Sequence, residues 1–225
     1  MVKVDKNYTF TGPNGPVKFS DLFDGRKQLI VYHFMLAPED KAGCPGCSFM
    51  ADNFPSHLQH LNAKDTTLVM VSRAPYEKIK AFKERMGWPF SWYSSYEGDF
   101  NYDFHVTNDE EVTPVMYNVR TSLSKFPCSF CKGKASANLV KQYKTKEEMA
   151  NDKHKMTKGE GPGLSVFFKE GDEIFHTYST YARGLDTLLV THRLLDITPL
   201  GRQEGDGTDW KLHDEYDEKE TKACH

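Results

Sequence analysis

Apolar residues form two nearly continuous runs in the first third of the chain. Residues 28–36 and 66–73 are rich in β-branched, aromatic and other apolar side chains and show no alternation with polar ones. Such runs are typical of strands that are buried on both faces, as in parallel sheets covered by helices. They predict two central strands of the fold.

Helical spacing follows each of these runs. Apolar residues recur at intervals of three and four from Cys47 to Leu61, and Pro55 predicts a kink within that helix. A second helix is predicted over 75–86, and a short strand over 90–94. Strands that alternate with helices in this order predict a sheet with parallel strands and covering helices.

The two ends of the chain add antiparallel strands to this sheet. Residues 8–20 predict two short edge strands around a turn rich in glycine and proline. Residues 163–169 and 173–178 flank a Glu-Gly-Asp turn and predict a hairpin, and leucines over 185–195 predict a helix after it. The pattern predicts a single α/β domain over 1–225 with a central mixed sheet flanked by helices.

Two segments differ from the rest by their charge. Residues 119–159 predict an insertion before the C-terminal hairpin, and the stretch 124–160 carries nine lysines against four acidic residues. The tail over 203–225 carries eight acidic residues against three lysines. Charge runs are usually solvated surface, although these two segments have the opposite charges needed to attract one another.

The overall composition argues against several classes of protein. The net charge of −3 disfavours a uniformly basic surface for nucleic acid, and no run of eighteen apolar residues indicates a membrane helix. The first residues lack the apolar core of a signal peptide. A cytoplasmic protein is therefore expected, with no nucleic-acid or membrane partner.

Four of the five cysteines form two C-x-x-C pairs, Cys44 with Cys47 and Cys128 with Cys131. In a reducing compartment such pairs indicate redox chemistry or metal binding more often than a structural disulfide. The second pair admits three interpretations. It could relay electrons to the first pair, complete a four-cysteine zinc site with it, or be a local pair without a partner.

The first pair follows a buried strand and opens a predicted helix. At the helix N-terminus, free backbone N–H groups and the helix dipole would stabilise a Cys44 thiolate, which is the nucleophilic form. Cys47 lies one turn further on, within reach of a mixed disulfide formed at Cys44. Pro45 stiffens the turn, and Gly46 permits close approach of a substrate.

Three further side chains are candidates for the same site. His33, in the first buried run, could serve as a base for Cys47 or be a hydrogen-bonded core histidine. Arg73 follows the C-terminal end of the second run, at the edge where ligand crevices of α/β sheets lie. Arg73 and Arg183 could hold a thiolate or a substrate carboxylate, or form structural ion pairs.

The order of these elements resembles the thioredoxin superfold, and the opening segment resembles its peroxiredoxin-like branch. Several longer motifs agree in order with one family within that superfold. They span residues 29–34, 43–49, 51–54, 72–75, 86–88, 99–104 and 175–184. By these motifs the chain is identified as a member of the thioredoxin-like family catalogued as domain of unknown function 899, over roughly 8–118 and 160–216.

This resemblance implies the fold and part of the substrate site. In thioredoxins a cis-proline before the final hairpin faces the C-x-x-C, and by resemblance Pro162 is that residue. Gly161 would then offer backbone groups to an extended partner peptide. Because family members join the two halves by a shorter linker, the resemblance implies nothing about Cys128 and Cys131.

The leading hypothesis is a thiol–disulfide oxidoreductase. Cys44 would attack a disulfide or oxidised thiol of a protein or small molecule, and Cys47 would resolve the product. No glycine-rich nicotinamide or flavin motif follows a strand, so no cofactor is required and an external reductant is expected. A homodimer is a further alternative that the sequence leaves open.

Two rival hypotheses use the same cysteines. The first is a metal-binding protein that holds zinc at Cys44, Cys47, Cys128 and Cys131 or shuttles copper(I), in which case the bound metal would quench Cys44. The second is a thiol peroxidase, which the peroxiredoxin-like opening favours. The pattern Pro-x-x-x-Thr-x-x-Cys is, however, missing around Cys44.

Overall fold

The computed structural model of the protein describes residues 1–109, 116–117, 120–121, 158–203 and 210–216. Most of the predicted insertion over 119–159 and of the acidic tail over 203–225 lies outside these residues. Cys128 and Cys131 lie outside them as well. The predictions that concern these segments therefore stay predictions.

The described part of the chain contains twelve strands, eight of them in one mixed sheet. The strands are β1 (Val2–Lys3), β2 (Thr9–Gly12), β3 (Gly15–Lys18), β4 (Gln28–His33), β5 (Thr66–Ser72), β6 (Ser91–Ser94), β7 (Thr107–Asp109), β8 (Met116–Tyr117), β9 (Arg120–Thr121), β10 (Lys158–Glu160), β11 (Gly163–Glu170) and β12 (Glu173–Tyr181). The main sheet has the order β1-β12-β11-β4-β5-β6-β2-β3, and β7 pairs with β10 and β8 with β9 outside it.

Helices cover both faces of the main sheet. They are α1 (Pro45–Asp52), α2 (Gln59–Asn62), α3 (Tyr76–Met86), α4 (Phe100–Asp103) and α5 (Val190–Asp196), with 3-10 segments at Phe19–Phe23, Ala182–Leu188 and His213–Glu215. Strands β4, β5 and β6 are parallel, whereas β11 and β12 form an antiparallel hairpin that pairs with β4. This topology confirms the predicted thioredoxin-like fold with a mixed sheet.

Strand β4 lies at the centre of the molecule because both of its faces are apolar. Tyr32 and Phe34 belong to the cluster of buried side chains that contains α1, α3 and Cys47. Leu29 and Val31 belong to a second cluster on the other face. Successive side chains of a strand point to opposite faces, so the two clusters follow from one continuous apolar run.

The structure corrects two predicted helices. α1 ends at Asp52, and Pro55 lies between α1 and the short α2 instead of kinking one continuous helix. Proline lacks the N–H for a helical hydrogen bond and disfavours the helical conformation at the residue before it. The predicted helix over 185–195 is also interrupted, because Leu189 has a ψ of 89° and separates a 3-10 segment from α5.

Gly43 marks a close approach of the backbone to the core, directly before α1. A Cβ atom at this position would lie 2.6 Å from Cε1 of Phe82 and 2.8 Å from Cε1 of Phe34. Both rings are buried among other aromatic side chains and have no room to move. A residue without a side chain is therefore required for the chain to enter α1 at this place.

We expect Gly43→Ala to lower the free energy of unfolding by about 1–3 kcal/mol, the usual cost of overpacking a core. Gly46→Ala is the matched control, because a Cβ atom there would meet only the Cys44 sulfur, at 3.8 Å. Denaturant unfolding of both variants under reducing conditions measures the difference. Equal stability of the two variants would contradict this account of Gly43.

Candidate active site

Two free thiols lie where β4 leads into α1. Cys44 is the N-cap residue of α1, and Pro45 is its first helical residue. The Cys44 N–H donates to the carbonyl of Met35 at 3.2 Å, and the Ser48 N–H donates to the carbonyl of Cys44 at 2.9 Å. These hydrogen bonds fix Cys44 to the end of the central strand on one side and to the helix on the other.

The environment of Cys44 favours its thiolate. The hydrogen bond from the Cys47 thiol, together with the backbone N–H groups of Cys47 and Gly46, lowers the pKa of Cys44 to about 6. Partial burial and the negative charge of Asp40 act in the opposite direction. At neutral pH Cys44, the less buried member of the pair, is therefore mainly ionised, as a nucleophilic cysteine must be.

The environment of Cys47 favours its thiol. This side chain is buried, and burial together with the adjacent Cys44 sulfur raises its pKa well above the usual range. Its sulfur accepts a hydrogen bond from the Met35 N–H at 3.4 Å. The hydroxyl of the neighbouring Tyr32 acts in the opposite direction to burial and lowers the pKa of Cys47. The pair thus holds one proton on the inner sulfur and one negative charge on the outer sulfur.

His33 does not lie beside this pair. Its ring is on the opposite face of the sheet, in contact with Phe100 and Phe104. Its Nε2 atom hydrogen-bonds to Oγ of Ser165 at 2.8 Å, and burial lowers its pKa to about 3, so the ring is neutral. The expectation that His33 is the base for Cys47 is therefore replaced by its alternative, a hydrogen-bonded core histidine.

Arg73 is paired with a carboxylate that the sequence analysis missed. Its Nε lies 3.1 Å from Oε1 of Glu160, whose side chain is buried and whose pKa is raised by that burial. Thr107 Oγ1 donates to the other oxygen of Glu160 at 2.8 Å, and Asn101 Nδ2 donates to it at 3.2 Å. Of the two roles predicted for Arg73, the structure contains the ion pair.

The segment before β11 differs from the thioredoxin pattern that the resemblance implied. The described peptide bonds include no cis bond, so Pro162 is trans. The Gly161 N–H donates to the carbonyl of Val106 at 2.7 Å and is used within the chain. Pairing of β10 with β7 brings Gly161 to this carbonyl, which explains why its N–H is not offered to a partner peptide.

The remaining predicted residues are at the surface. Pro45 and Gly46 are exposed beside Cys44, and a Cβ atom at Gly46 would meet only the Cys44 sulfur, at 3.8 Å. Arg183 is exposed in the 3-10 segment after β12, and its side chain has no hydrogen bond or ion pair within the described ranges. The structure therefore brings Pro45 and Gly46 together with the two cysteines, but supplies no contact that links Arg183 to them.

The residues near the C-terminus pack on the outer side of α1. Trp210 stacks on Phe49 with ring centroids 3.9 Å apart. Asp52, at the end of α1, accepts hydrogen bonds from Trp88 Nε1 at 2.7 Å and from His213 Nδ1 at 2.8 Å. Helix α1 is thus held between the sheet and the C-terminal segment, which keeps the cysteine pair in a fixed position.

The fold and the site together define a thioredoxin-like protein with a dithiol at the start of its first helix. Within that class, the chain belongs to the family described as "Bacterial protein of unknown function (DUF899)", whose model matches residues 1–216. No curated protein matches the chain significantly. Among the described residues, no helix has both the length and the apolar character needed to cross a membrane.

Solved structures with a similar fold include two bacterial redox proteins. Peroxidoxin BcpB from Mycobacterium tuberculosis is 13% identical, with a TM-score of 0.48, over 87% of this chain and 98% of that chain. A PrxQ mutant from Xylella fastidiosa is 13% identical, with a TM-score of 0.46, over 83% of this chain and 88% of that chain. Likenesses this distant carry no information on a substrate.

The charge of Asp40 opposes ionisation of Cys44, so its removal has a defined direction. We expect Asp40→Asn to move the midpoint for alkylation of Cys44 below its value of about 6 in the unchanged protein, because a thiolate is easier to form away from a carboxylate. The amide oxygen can still accept the hydrogen bond that the Ala37 N–H donates to Asp40 at 2.7 Å.

Iodoacetamide alkylation followed by peptide mass mapping, repeated across a pH series, measures this midpoint. Asp172→Asn, in the exposed turn between β11 and β12, is the control and is expected to leave the midpoint in place. A midpoint of about 8.5, which is the pKa of an ordinary cysteine, would contradict the description of Cys44 as a stabilised thiolate.

Proposed function

We propose that the protein is a thiol–disulfide oxidoreductase in which Cys44 is the nucleophile and Cys47 is the resolving cysteine. One observation carries this proposal. The two sulfurs share a hydrogen bond at a helix N-terminus, with the ionised sulfur partly exposed and the protonated sulfur buried. Thiol–disulfide exchange needs one accessible thiolate to start the reaction and a second thiol within reach to finish it.

The first step forms a mixed disulfide. The Cys44 thiolate attacks one sulfur of a partner disulfide, and a bond forms between that sulfur and Cys44. The disulfide bond of the partner breaks, and its second sulfur leaves with the electron pair as a thiolate. Helix α1 favours this step because its N-terminal N–H groups stabilise the attacking thiolate until contact with the partner.

The second step releases the partner. Cys47 loses its proton and attacks the Cys44 sulfur, which forms the Cys44–Cys47 disulfide and breaks the bond to the partner. The partner's sulfur leaves as a thiolate and takes up the proton that Cys47 lost. The partner gains two electrons and the protein loses two, so an external thiol must reduce the protein before another cycle. The same steps in reverse oxidise a dithiol.

The surface beside Cys44 is suited to both protein and small-molecule partners. Pro45 and Gly46 are exposed, and because Gly46 has no side chain, the backbone of a protein or a small thiol can approach the sulfur beside it. Because Gly161 already uses its N–H within the chain, we place the partner's main contacts on this loop and not on the segment before β11.

We expect Cys44→Ser to abolish reduction of glutathione disulfide and of a disulfide-bonded peptide, because it removes the nucleophile. Cys47→Ser removes the resolving thiol and is expected to accumulate a mixed disulfide on Cys44. Coupled turnover with an external dithiol and intact-mass analysis measure the two effects. Cys224→Ser is the matched control and is expected to react like the unchanged protein.

Two outcomes would favour the rival functions instead. Within the described ranges, no group of three or more His, Cys, Asp or Glu side chains is placed to hold a metal, and Cys128 and Cys131 lie outside those ranges. Thiols that become reactive only after a chelator is added would favour a metal-binding protein. Consumption of hydrogen peroxide that depends on Cys44, without any disulfide exchange, would favour a peroxidase.

A further inference from the structure

We propose that Tyr32, which lies in the same buried cluster as Cys47, is a catalytic residue for the second step, in which its hydroxyl donates a hydrogen bond to the Cys47 sulfur while that sulfur carries negative charge. This inference rests on the proposed function and identifies the group that serves the buried cysteine. Resolution requires a thiolate at Cys47, in a position from which water is excluded. A buried charge is costly unless hydrogen-bond donors replace its hydration.

The position of the Tyr32 hydroxyl is set by the sheet. Tyr32 is the penultimate residue of β4, and its side chain points to the α1 layer, where it is 1% exposed and Cys47 is 2% exposed. The ring is packed edge-on against Phe54 at 5.2 Å and against Phe34 at 6.3 Å between centroids. Packing of this kind leaves the hydroxyl little freedom to turn away from Cys47.

A second donor completes the surroundings of the inner sulfur. The backbone N–H of Met35 donates to the Cys47 sulfur at 3.4 Å. Met35 lies just after the end of β4, and Tyr32 lies just before that end. The other neighbours of Cys47 in its cluster are apolar, Met50 and Ala51 among them. The other nearby side-chain donors are already used, because Trp88 Nε1 donates to Asp52, Trp92 Nε1 donates to Ser72 and Ser48 Oγ donates to the Cys44 carbonyl. Among the described residues of this region, the Tyr32 hydroxyl is therefore the side-chain donor that we assign to a thiolate at Cys47.

Tyr32 acts as a donor and not as a base. Burial and the neighbouring Cys47 raise the pKa of its hydroxyl well above the usual range, so it keeps its proton throughout the reaction. The proton of Cys47 consequently goes to the departing thiolate of the partner. The hydroxyl lowers the free energy of the transition state in which charge has formed on Cys47, whether this sulfur attacks or leaves.

A disulfide reagent that releases a coloured aromatic thiolate separates the two steps. The experiment uses the full-length chain with the substitutions Cys128→Ser, Cys131→Ser and Cys224→Ser, so that the colour comes from Cys44 and Cys47 alone. One equivalent of thiolate is released when Cys44 attacks the reagent, and a second when Cys47 attacks the mixed disulfide. Stopped-flow mixing records both rates in one experiment.

We expect Tyr32→Phe to slow the second release by about tenfold to about a hundredfold, as for loss of a hydrogen bond to a charged group, and to leave the first release within about twofold. Tyr8→Phe is the matched control. It removes another tyrosine hydroxyl, which donates to Asp103 at 2.8 Å from the other cluster, and both of its rates are expected to stay unchanged.

Three outcomes would count against the proposal or its basis. An unchanged second release in Tyr32→Phe would overturn the role of the hydroxyl, and equal slowing of both releases would reduce Tyr32 to a packing residue. Release of a single equivalent by the parent chain would instead refute the resolving step of the proposed function. Replacement of Tyr32 by para-aminophenylalanine keeps the ring and a weaker donor, and is expected to give an intermediate second rate even if Tyr32→Phe does not fold.

Discussion

The chemistry of this protein depends on a single proton held between two sulfurs. Cys44 and Cys47 are one helical turn apart, and their hydrogen bond lowers the pKa of the outer thiol while burial raises that of the inner thiol. The asymmetry exists only because α1 begins at the protein surface and enters the core within one turn. If both sulfurs were equally exposed, their pKa values would be similar, and the two cysteines would not have separate roles in attack and resolution.

The rest of the fold keeps this asymmetry in place. The central strand β4 directs Tyr32 toward the cysteines and His33 away from them, and its end supplies the Met35 N–H to the inner sulfur. Gly43 lets the chain pass between two aromatic rings into α1. On the outer side, Trp210 covers the helix by stacking on Phe49. Sheet, loop and C-terminal segment therefore all act on the same eight-residue helix.

Much of the architecture could be predicted from the sequence, because long apolar runs leave few alternatives. The runs at β4 and β5, the C-x-x-C at the start of a helix and the final hairpin are local patterns. Which of two successive residues of β4 faces the cysteines is not a local property, because the pattern does not show which face of a strand meets the helix when both faces are buried. The sequence analysis therefore named His33, as a base or as a core histidine, and did not single out Tyr32.

Other features depended on contacts between distant segments. Glu160 is buried beside Arg73 only because β10 pairs with β7 across a long separation in sequence. The same pairing occupies the Gly161 N–H, which the resemblance to thioredoxins had assigned to a partner. Pro55 was locally predictable as a disturbance of the helix, but the spacing of apolar residues from Cys47 to Leu61 did not show that α1 ends as early as Asp52.

A redox titration with residue assignment tests the central claim most directly. The protein is equilibrated in graded ratios of glutathione to glutathione disulfide, quenched in acid, alkylated under denaturing conditions and mapped by mass spectrometry. The account predicts that Cys44 and Cys47 lose their thiols together, in a single two-electron transition, and appear in one disulfide-linked peptide. A Cys47 that remains a thiol at the most oxidising ratio, while Cys44 carries only glutathione, would contradict it.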